Sequence, residues 1–214
     1  MGKIRALLAD DHTMVRQGFR RTLEAAGDIE IVAEVGDGRS ALEAAARLSP
    51  DVAILDITLP ELNGIEVTRQ LAKNLPSTRV LILSIHADDA YIRHALHAGA
   101  RGYLLKDADD QDLLRAVAAV ATGGTYFSPT VGKTVLESYL AATEEQRDEL
   151  DLLSDREREI LQLIAEGKSN KEAARVLDIA VSTIESHRKH LMDKLDLHNT
   201  AELVRFALRK GIIE

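Results

Sequence analysis

Short apolar runs alternate with longer amphipathic stretches through the first 124 residues, and this alternation restricts the possible folds more than any other feature. The runs have the length and the predominantly apolar composition of buried parallel strands. They lie at 4–9, 29–35, 52–55, 80–83 and 102–105. Because the stretches between them have helical spacing, residues 1–124 are predicted to form a five-stranded, doubly wound parallel α/β sheet with helices on both faces.

The last third of the chain has only helical patterning, with clear start signals. Ser154 is followed three residues later by Glu157, and Ser169 by Glu172, which is the spacing of a capping box. We expect a second, all-α domain of four helices over 152–214. It includes a tight helix-turn-helix.

The segment between these two regions, 125–151, has a thinner apolar pattern and ends in an acidic run. We predict a partly helical linker there. The chain has no cysteine, which excludes a disulfide scaffold and any thiolate site. It has no apolar stretch long enough to span a bilayer, and its start runs directly into a strand. We therefore expect a cytoplasmic protein without a membrane partner.

Charge is unevenly distributed along the chain. The net charge is −8. Residues 152–214 carry 11 basic and 11 acidic side chains, so the predicted helical domain is neutral overall. The net charge of the whole chain argues weakly against binding of nucleic acid, but a local basic face is enough for contact with it.

Polar side chains stand where the predicted strands end. Asp10 and Asp11 follow the first strand and Asp56 follows the third, while Ser84 and Lys106 follow the fourth and fifth. In an open parallel sheet these carboxyl ends form the functional edge. A single aspartate after a strand is more often a helix cap. The prediction of a functional site therefore depends on polar residues following four of the strands at once.

Carboxylate oxygens suit Mg²⁺, which binds through one or two carboxylates plus a phosphate. A central aspartate beside that ion is able to attack a phosphoryl group and form an aspartyl phosphate. Lys106 would neutralise charge on the transferred oxygens, and Ser84 would donate a hydrogen bond to one of them.

Three segments carry a resemblance to a known family: 7–12 (LLADDH), 56–64 (DITLPELNG) and 102–106 (GYLLK). Together they resemble the receiver domain of two-component response regulators over residues 1 to about 124. The resemblance implies a flavodoxin-like sheet of strand order 2-1-3-4-5. It also implies that Asp56 accepts a phosphoryl group from a sensor histidine kinase.

Further site residues follow from the same resemblance. It implies that Mg²⁺ is held by Asp10, Asp11, Asp56 and the backbone carbonyl of Thr58. Ser84 and Tyr103 match the family's switch pair, in which the hydroxyl moves to the phosphoryl group and the aromatic ring turns inward. Such a protein is not an enzyme beyond its own phosphoryl transfer and autodephosphorylation.

Two positions depart from the receiver pattern. Leu59 replaces a frequent methionine, which is a neutral apolar change. Ile85 follows Ser84, where many receivers have a small residue. Because a bulky side chain would crowd the phosphoryl site, we predict slow phosphorylation by small donors and a long-lived phosphorylated state.

The third predicted C-terminal helix, 181–195, has one apolar and one polar side. Its polar side is short-chained near its start and basic at its flanks, which suits insertion into the major groove. The polar side comprises Ser182, Glu185, Ser186 and Lys189, flanked by Arg188, His190 and Lys194. The start of the preceding helix, at Asn170 and Lys171, is placed to bind a backbone phosphate.

A charged helix alone is more often a solvated face, but three further segments resemble the LuxR-type helix-turn-helix: 153–161 (LSDREREIL), 167–174 (GKSNKEAA) and 182–188 (STIESHR). A receiver plus this domain is typical of the NarL/FixJ subfamily. That resemblance implies a phosphorylation-dependent transcriptional regulator that binds inverted half-sites on promoter DNA as a homodimer and works with RNA polymerase.

The resemblance also assigns individual DNA contacts. The residues that face the bases are Glu185, Ser186 and Lys189. Those that contact phosphates are Asn170, Lys171, Ser182, Thr183, Arg188, Lys194 and Thr200. Many relatives have lysine at the position of Glu185; an acidic side chain there favours the amino group of cytosine.

Three alternatives remain open on the residues alone. A haloacid-dehalogenase-type phosphatase also uses an aspartyl nucleophile, but it needs an Asp-x-Asp motif early in the chain, where Asp10 and Asp11 are adjacent. A flavodoxin-like cofactor protein would have a neutral phosphate loop. A receiver that works without phosphorylation would not need the complete set of polar residues seen here.

Overall fold

The structure, a computed structural model, describes residues 2–141 and 149–213. The chain divides into two compact units, 1–142 and 143–214. Part of the predicted linker, 142–148, lies outside the described residues. No helix within the described ranges is long and apolar enough to cross a membrane.

The first unit is built on one parallel sheet. Its strands are β1 (Ile4–Ala9), β2 (Ile29–Val35), β3 (Val52–Leu55), β4 (Arg79–Ser84), β5 (Gly102–Leu105) and β6 (Tyr126–Phe127). They pair in the order β2-β1-β3-β4-β5-β6, and every pair is parallel. The predicted order of the first five strands is confirmed, and the structure adds a short sixth strand beside β5.

Helices cover both faces of this sheet, as predicted. They are α1 (Thr13–Ala25), α2 (Gly38–Leu48), α3 (Gly64–Asn74), α4 (Asp89–Ala98), α5 (Asp110–Ala121) and α6 (Pro129–Ala141). One apolar core includes Ala41, Val67 and Ile92 of α2, α3 and α4. The opposite core includes Leu23 of α1 and Val117 of α5. Strands β3, β4 and β5, and the second half of β1, are therefore buried on both faces, which explains their apolar sequences, whereas the edge strand β2 is mostly half-buried.

The segment after α5 differs from the expected linker. Tyr126 pairs with Gly102 and Phe127 with Tyr103, so β6 extends the sheet. The following α6 packs on the first unit, and its Val131 is completely buried in the same core as Ile92. Residues 126–141 therefore belong to the first compact unit.

The second unit contains the four predicted helices, preceded by a short 3₁₀ helix, Glu149–Leu152. They are α7 (Asp155–Ala165), α8 (Asn170–Leu177), α9 (Val181–Lys194) and α10 (Thr200–Arg209). Capping boxes begin α7 at Ser154 and α8 at Ser169. The three residues 178–180 join α8 to α9, with Asp178 in the left-handed conformation, φ 50°. This connection produces the predicted helix-turn-helix.

Candidate phosphoryl and nucleic-acid sites

Four adjacent strands end at one edge of the first unit's sheet, and the predicted polar residues lie there. Asp10 follows β1, Asp56 follows β3, Ser84 ends β4 and Lys106 follows β5. Asp10 is 1% exposed and Asp56 4%. Both carboxylates are therefore almost removed from water, where an unpaired charge is costly.

One lysine contacts both buried carboxylates. Lys106 Nζ lies 2.6 Å from Asp56 Oδ2 and 2.7 Å from Asp10 Oδ2. The structure thus brings together Asp10, Asp56 and Lys106, the three charged residues that the sequence placed at this edge of the sheet. An ammonium group between them offsets the repulsion between the two carboxylates.

Burial and the contacts between Lys106 and the two carboxylates together set the pKa values of Asp56 and Lys106. Burial raises the pKa of Asp56, with a smaller upward contribution from the charge of Asp10, while the hydrogen bond and charge of Lys106 oppose the rise. For Lys106, burial lowers the pKa, but its hydrogen bonds to Asp10 and Asp56 outweigh this and leave the pKa above its usual value. Lys106 therefore stays a cation at neutral pH.

A cluster of potential metal ligands stands at the same place. Ligand atoms of Asp10, Asp11, His12 and Asp56 all lie within 4.8 Å of one another. His12 donates its backbone N–H to Asp10 Oδ1 at 2.8 Å, and its Nδ1 lies 2.6 Å from Asp11 Oδ1. The sequence predicted the three carboxylates but gave no role to His12, which here orients both neighbouring aspartates.

The backbone after β3 turns closely over the site. A hydrogen bond from the backbone of Thr58 reaches the Asp56 carboxylate. The chain then folds back so that a Cβ atom on Gly64 would lie only 2.0 Å from the carbonyl oxygen of Asp56. Only glycine fits at this approach, so the glycine that ends the 56–64 motif fixes the loop in which Thr58 lies.

Ser84 and Tyr103, the predicted switch pair, are both completely buried. Ser84 Oγ accepts a hydrogen bond from the backbone N–H of His86 at 3.1 Å, and Tyr103 donates its hydroxyl to the carbonyl of His86 at 2.8 Å. Burial raises the pKa of Tyr103, which keeps its hydroxyl a neutral donor. Sequence reasoning missed His86, because its role arises from backbone atoms that no side-chain pattern reveals.

In the second unit, α9 has the two sides that its sequence predicts. Ile184 and Leu191 are buried in the core, whereas the predicted base-facing residues Glu185, Ser186 and Lys189 are all exposed. Ser182 and Thr183, at the start of the helix, and Lys171, near the start of α8, are exposed as well. The structure therefore leaves a polar surface available on the second helix of the helix-turn-helix.

Three of the predicted phosphate contacts form one hydrogen-bonded cluster. Arg188 Nη1 lies 3.1 Å from Asn170 Oδ1, and its Nη2 lies 2.6 Å from Thr200 Oγ1. Arg188 thus connects the first residues of α8 and α10 to α9. Because both partners are neutral, its positive charge is not compensated by these contacts.

Lys194 has a different environment. Its ammonium lies 2.7 Å from Glu157 Oε2, and the Glu157 side chain is buried. The same carboxylate accepts from the backbone and hydroxyl of Ser154 in the capping box of α7. Lys194, expected at a phosphate, therefore neutralises a carboxylate inside its own unit.

Comparison with known protein families gives one match for each unit. The model described as "Response regulator receiver domain" matches residues 6–118. The model described as "Bacterial regulatory proteins, luxR family" matches residues 151–207.

Individual proteins match over nearly the whole chain. The oxygen regulatory protein NreC of Staphylococcus carnosus is 38% identical over 216 residues, which cover 99% of this chain and 100% of NreC. Among solved structures, the response regulator ChrA of a heme-sensing two-component system is 37% identical, with full coverage of both chains and a TM-score of 0.55. The structure of the response regulator RcsB in complex with DNA is 26% identical, covers 97% of this chain and 98% of RcsB, and has a TM-score of 0.60.

Proposed function

Because the chain belongs to the two-component response regulators that join a receiver domain to a LuxR-type DNA-binding domain, we propose that phosphorylation of Asp56 controls its binding to promoter DNA. The observation that carries this proposal is the contact of Lys106 with both Asp10 and Asp56 at the end of the sheet. A buried carboxylate beside a fixed cation is suited to accept a dianionic group, because the cation offsets the added charge.

The proposed reaction is transfer of a phosphoryl group from a phosphohistidine of a sensor kinase. An oxygen of Asp56 attacks phosphorus, so a P–O bond forms and the P–N bond breaks, with its electron pair left on the histidine nitrogen, which takes up a proton. Lys106 holds the negative oxygens, and the Ser84 hydroxyl donates to one of them. Apart from this transfer and its own dephosphorylation, we propose no enzymatic activity.

The residues at this edge fit a magnesium ion. Asp10, Asp11, Asp56 and the backbone carbonyl of Thr58 offer only oxygen ligands, which Mg²⁺ prefers, and the carboxylate oxygens are clustered closely. Mg²⁺ bound there would neutralise charge on the phosphoryl oxygens. Lys106 and the buried position of Asp10 keep the carboxylates fixed for that task.

In the second unit we propose that α9 enters the major groove, with Glu185, Ser186 and Lys189 towards the bases. The phosphate contacts come from residues that stay uncharged or keep a free positive charge: Asn170, Lys171, Ser182, Thr183, Arg188 and Thr200. Lys194 is set apart because Glu157 compensates its charge. We further propose that two copies bind inverted half-sites in the cytoplasm, where they contact RNA polymerase.

The test combines labelling with selection of DNA sequences. Full-length protein is incubated with acetyl phosphate and Mg²⁺, and its selected DNA is compared with that of Asp56→Ala treated in the same way. We expect labelling and enrichment of a two-half-site operator for the wild type only. Equal enrichment by the Asp56→Ala protein would show that DNA binding does not depend on phosphorylation. Absence of label on wild-type Asp56 with acetyl phosphate and also with a phosphorylated sensor histidine kinase would overturn the proposed phosphoacceptor.

A further inference from the structure

The loop between β4 and α4 is held by one residue that touches three elements. His86 gives its N–H to Ser84 Oγ at the end of β4 and accepts the hydroxyl of Tyr103 from β5. Its imidazole stacks on the ring of Tyr91 in the first turn of α4, with ring centroids 4.1 Å apart and an interplanar angle of 14°. His86 is thus fixed from three directions.

The hydrogen bond from His86 determines the direction in which the Ser84 hydroxyl donates its own hydrogen bond. Ser84 Oγ uses a lone pair to accept from His86, so its own hydrogen is the donor, and in this structure the Ser84 side chain hydrogen-bonds the hydroxyl of Tyr103. Ser84 is completely buried, and the acceptor proposed for it is a phosphoryl oxygen on Asp56. The position of the His86 backbone therefore prepares Ser84 as a donor.

The same backbone position retains the ring of Tyr103 in the interior. The Tyr103 side chain is completely buried, and a buried hydroxyl without an acceptor is costly. The carbonyl of His86 supplies that acceptor at 2.8 Å. If the loop moved away, Ser84 and Tyr103 would both lose a partner, so the two residues are coupled through His86.

We infer that the stacked rings of His86 and Tyr91 position the Ser84 hydroxyl and the Tyr103 ring for phosphorylation of Asp56. Both act as positioning residues, because neither touches the reacting atoms. The stack is made of side chains, whereas the two hydrogen bonds use the backbone of His86. Removing the ring of Tyr91 therefore releases the loop without deleting either hydrogen-bonding group.

The inference rests on the proposed phosphorylation of Asp56 and is tested through its rate. Full-length wild type, Tyr91→Ala and Tyr91→Phe are labelled with acetyl phosphate and Mg²⁺, and the initial rate is followed by phosphate-affinity gel electrophoresis. We expect Tyr91→Ala to label about threefold to tenfold more slowly, the factor that corresponds to loss of an aromatic pair. Tyr91→Phe keeps the stacked ring and should label at the wild-type rate.

Two further variants separate positioning from general damage. Arg93→Ala removes an exposed ion pair with Asp89 on the same helix, so it should leave the rate unchanged. The double variant His86→Ala/Tyr91→Ala should label no more slowly than the slower single variant, because each single substitution already removes the same contact between the two rings.

Equal rates for wild type and Tyr91→Ala, or additive losses in the double variant, would overturn the positioning role while leaving Asp56 as phosphoacceptor. If the wild type takes no label on Asp56 from acetyl phosphate or from a phosphorylated sensor histidine kinase, the proposed function fails and this inference falls with it.

Discussion

Asp56 has to carry a charge at a place that water barely reaches. Burial raises its pKa, so the folded protein binds a proton at Asp56 more readily than the unfolded chain does. Between the ordinary pKa of an aspartate and this raised value, the folded state holds more protons, and its stability from this group falls as the pH increases. The proposed phosphoacceptor is thus a site of local instability at neutral pH.

We therefore expect Asp56→Asn to stabilise the first unit at pH 8, by roughly 1 kcal/mol, the low end of what replacing a buried charge gains. At a pH well below the usual range of aspartate the difference should disappear, because Asp56 is then protonated in both states. Lys106 keeps Asp10 as a partner in the variant. Denaturant-dependent hydrogen exchange of the β1 and β3 amides measures the effect. A variant less stable than wild type at pH 8 would contradict it.

A second prediction for a single residue concerns Ile85. Its side chain is 69% exposed, although it directly follows the buried Ser84. Because most of this side chain faces solvent, Ile85→Ala should fold normally while opening access to Asp56. We expect faster labelling by acetyl phosphate and faster loss of the label, each by a few-fold. Met14→Ala, which removes another exposed apolar side chain from the same unit, serves as the control. Unchanged labelling and decay would refute the crowding argument.

At the scale of the helices, two capping boxes of the same sequence type differ in their surroundings. Glu157 is buried; burial raises its pKa, but hydrogen bonds from Lys194 and Ser154 outweigh this and leave the pKa below its usual value. In the box of α8, Glu172 also has a lowered pKa, chiefly through Ser169, but it is exposed. The stability from each carboxylate is present above its unfolded pKa and is lost as the pH falls through the folded value.

We expect Glu157→Gln to destabilise the second unit by about 1–2 kcal/mol at pH 7, because it weakens the cap and leaves Lys194 without its anion. Glu172→Gln should cost less than Glu157→Gln, because the Glu172 carboxylate is exposed to solvent. The penalty of Glu157→Gln should shrink as the pH falls through the acidic range, where the wild-type carboxylate is protonated too. Hydrogen exchange in α7 and α8 reports each effect. Equal losses in the two variants would show that Lys194 adds nothing.

The elements that the sequence predicted are those with long periodic patterns. The first five strands, the capping signals at Ser154 and Ser169, and the polar side of α9 all appear where expected. Strand β6 has only two residues, which is too short for any periodicity, and its pairing with β5 is a tertiary contact. His86 and the bridge from Arg188 were missed for the same reason, since they depend on atoms brought together by folding.

At the scale of the whole molecule, the combination of two domains discriminates between the alternative functions that individual residues could not separate. A receiver model and a LuxR-type model cover separate parts of the chain, which supports neither a haloacid-dehalogenase-type phosphatase nor a flavodoxin-like protein. The net charge of −8 would repel DNA, and residues 152–214 are neutral. We therefore expect DNA binding to rely on a few local cations and on pairing of two copies.

The number of those cations is measurable from the salt dependence of binding. Lys171 is exposed, and Arg188 hydrogen-bonds the neutral side chains of Asn170 and Thr200, whereas Lys194 is compensated by Glu157. Two effective cations per copy, or about four per dimer, predict a slope of log K against log salt near about −3.6. If Lys194 also contacted a phosphate, the slope would be near about −5.4.

Single substitutions of the charged residues test which of these cations contact phosphates. Lys171→Gln should reduce the magnitude of the slope by about 2 in a dimer, because one phosphate contact is lost from each copy. Lys194→Gln should lower stability but leave the slope almost unchanged, since its charge already belongs to Glu157. Glu185→Gln should alter the selected bases, not the slope, because a base contact releases no counterions. The slopes are measured with phosphorylated full-length protein on its selected operator. An equal reduction by Lys171→Gln and Lys194→Gln would mean that Lys194 leaves Glu157 for a phosphate when DNA binds.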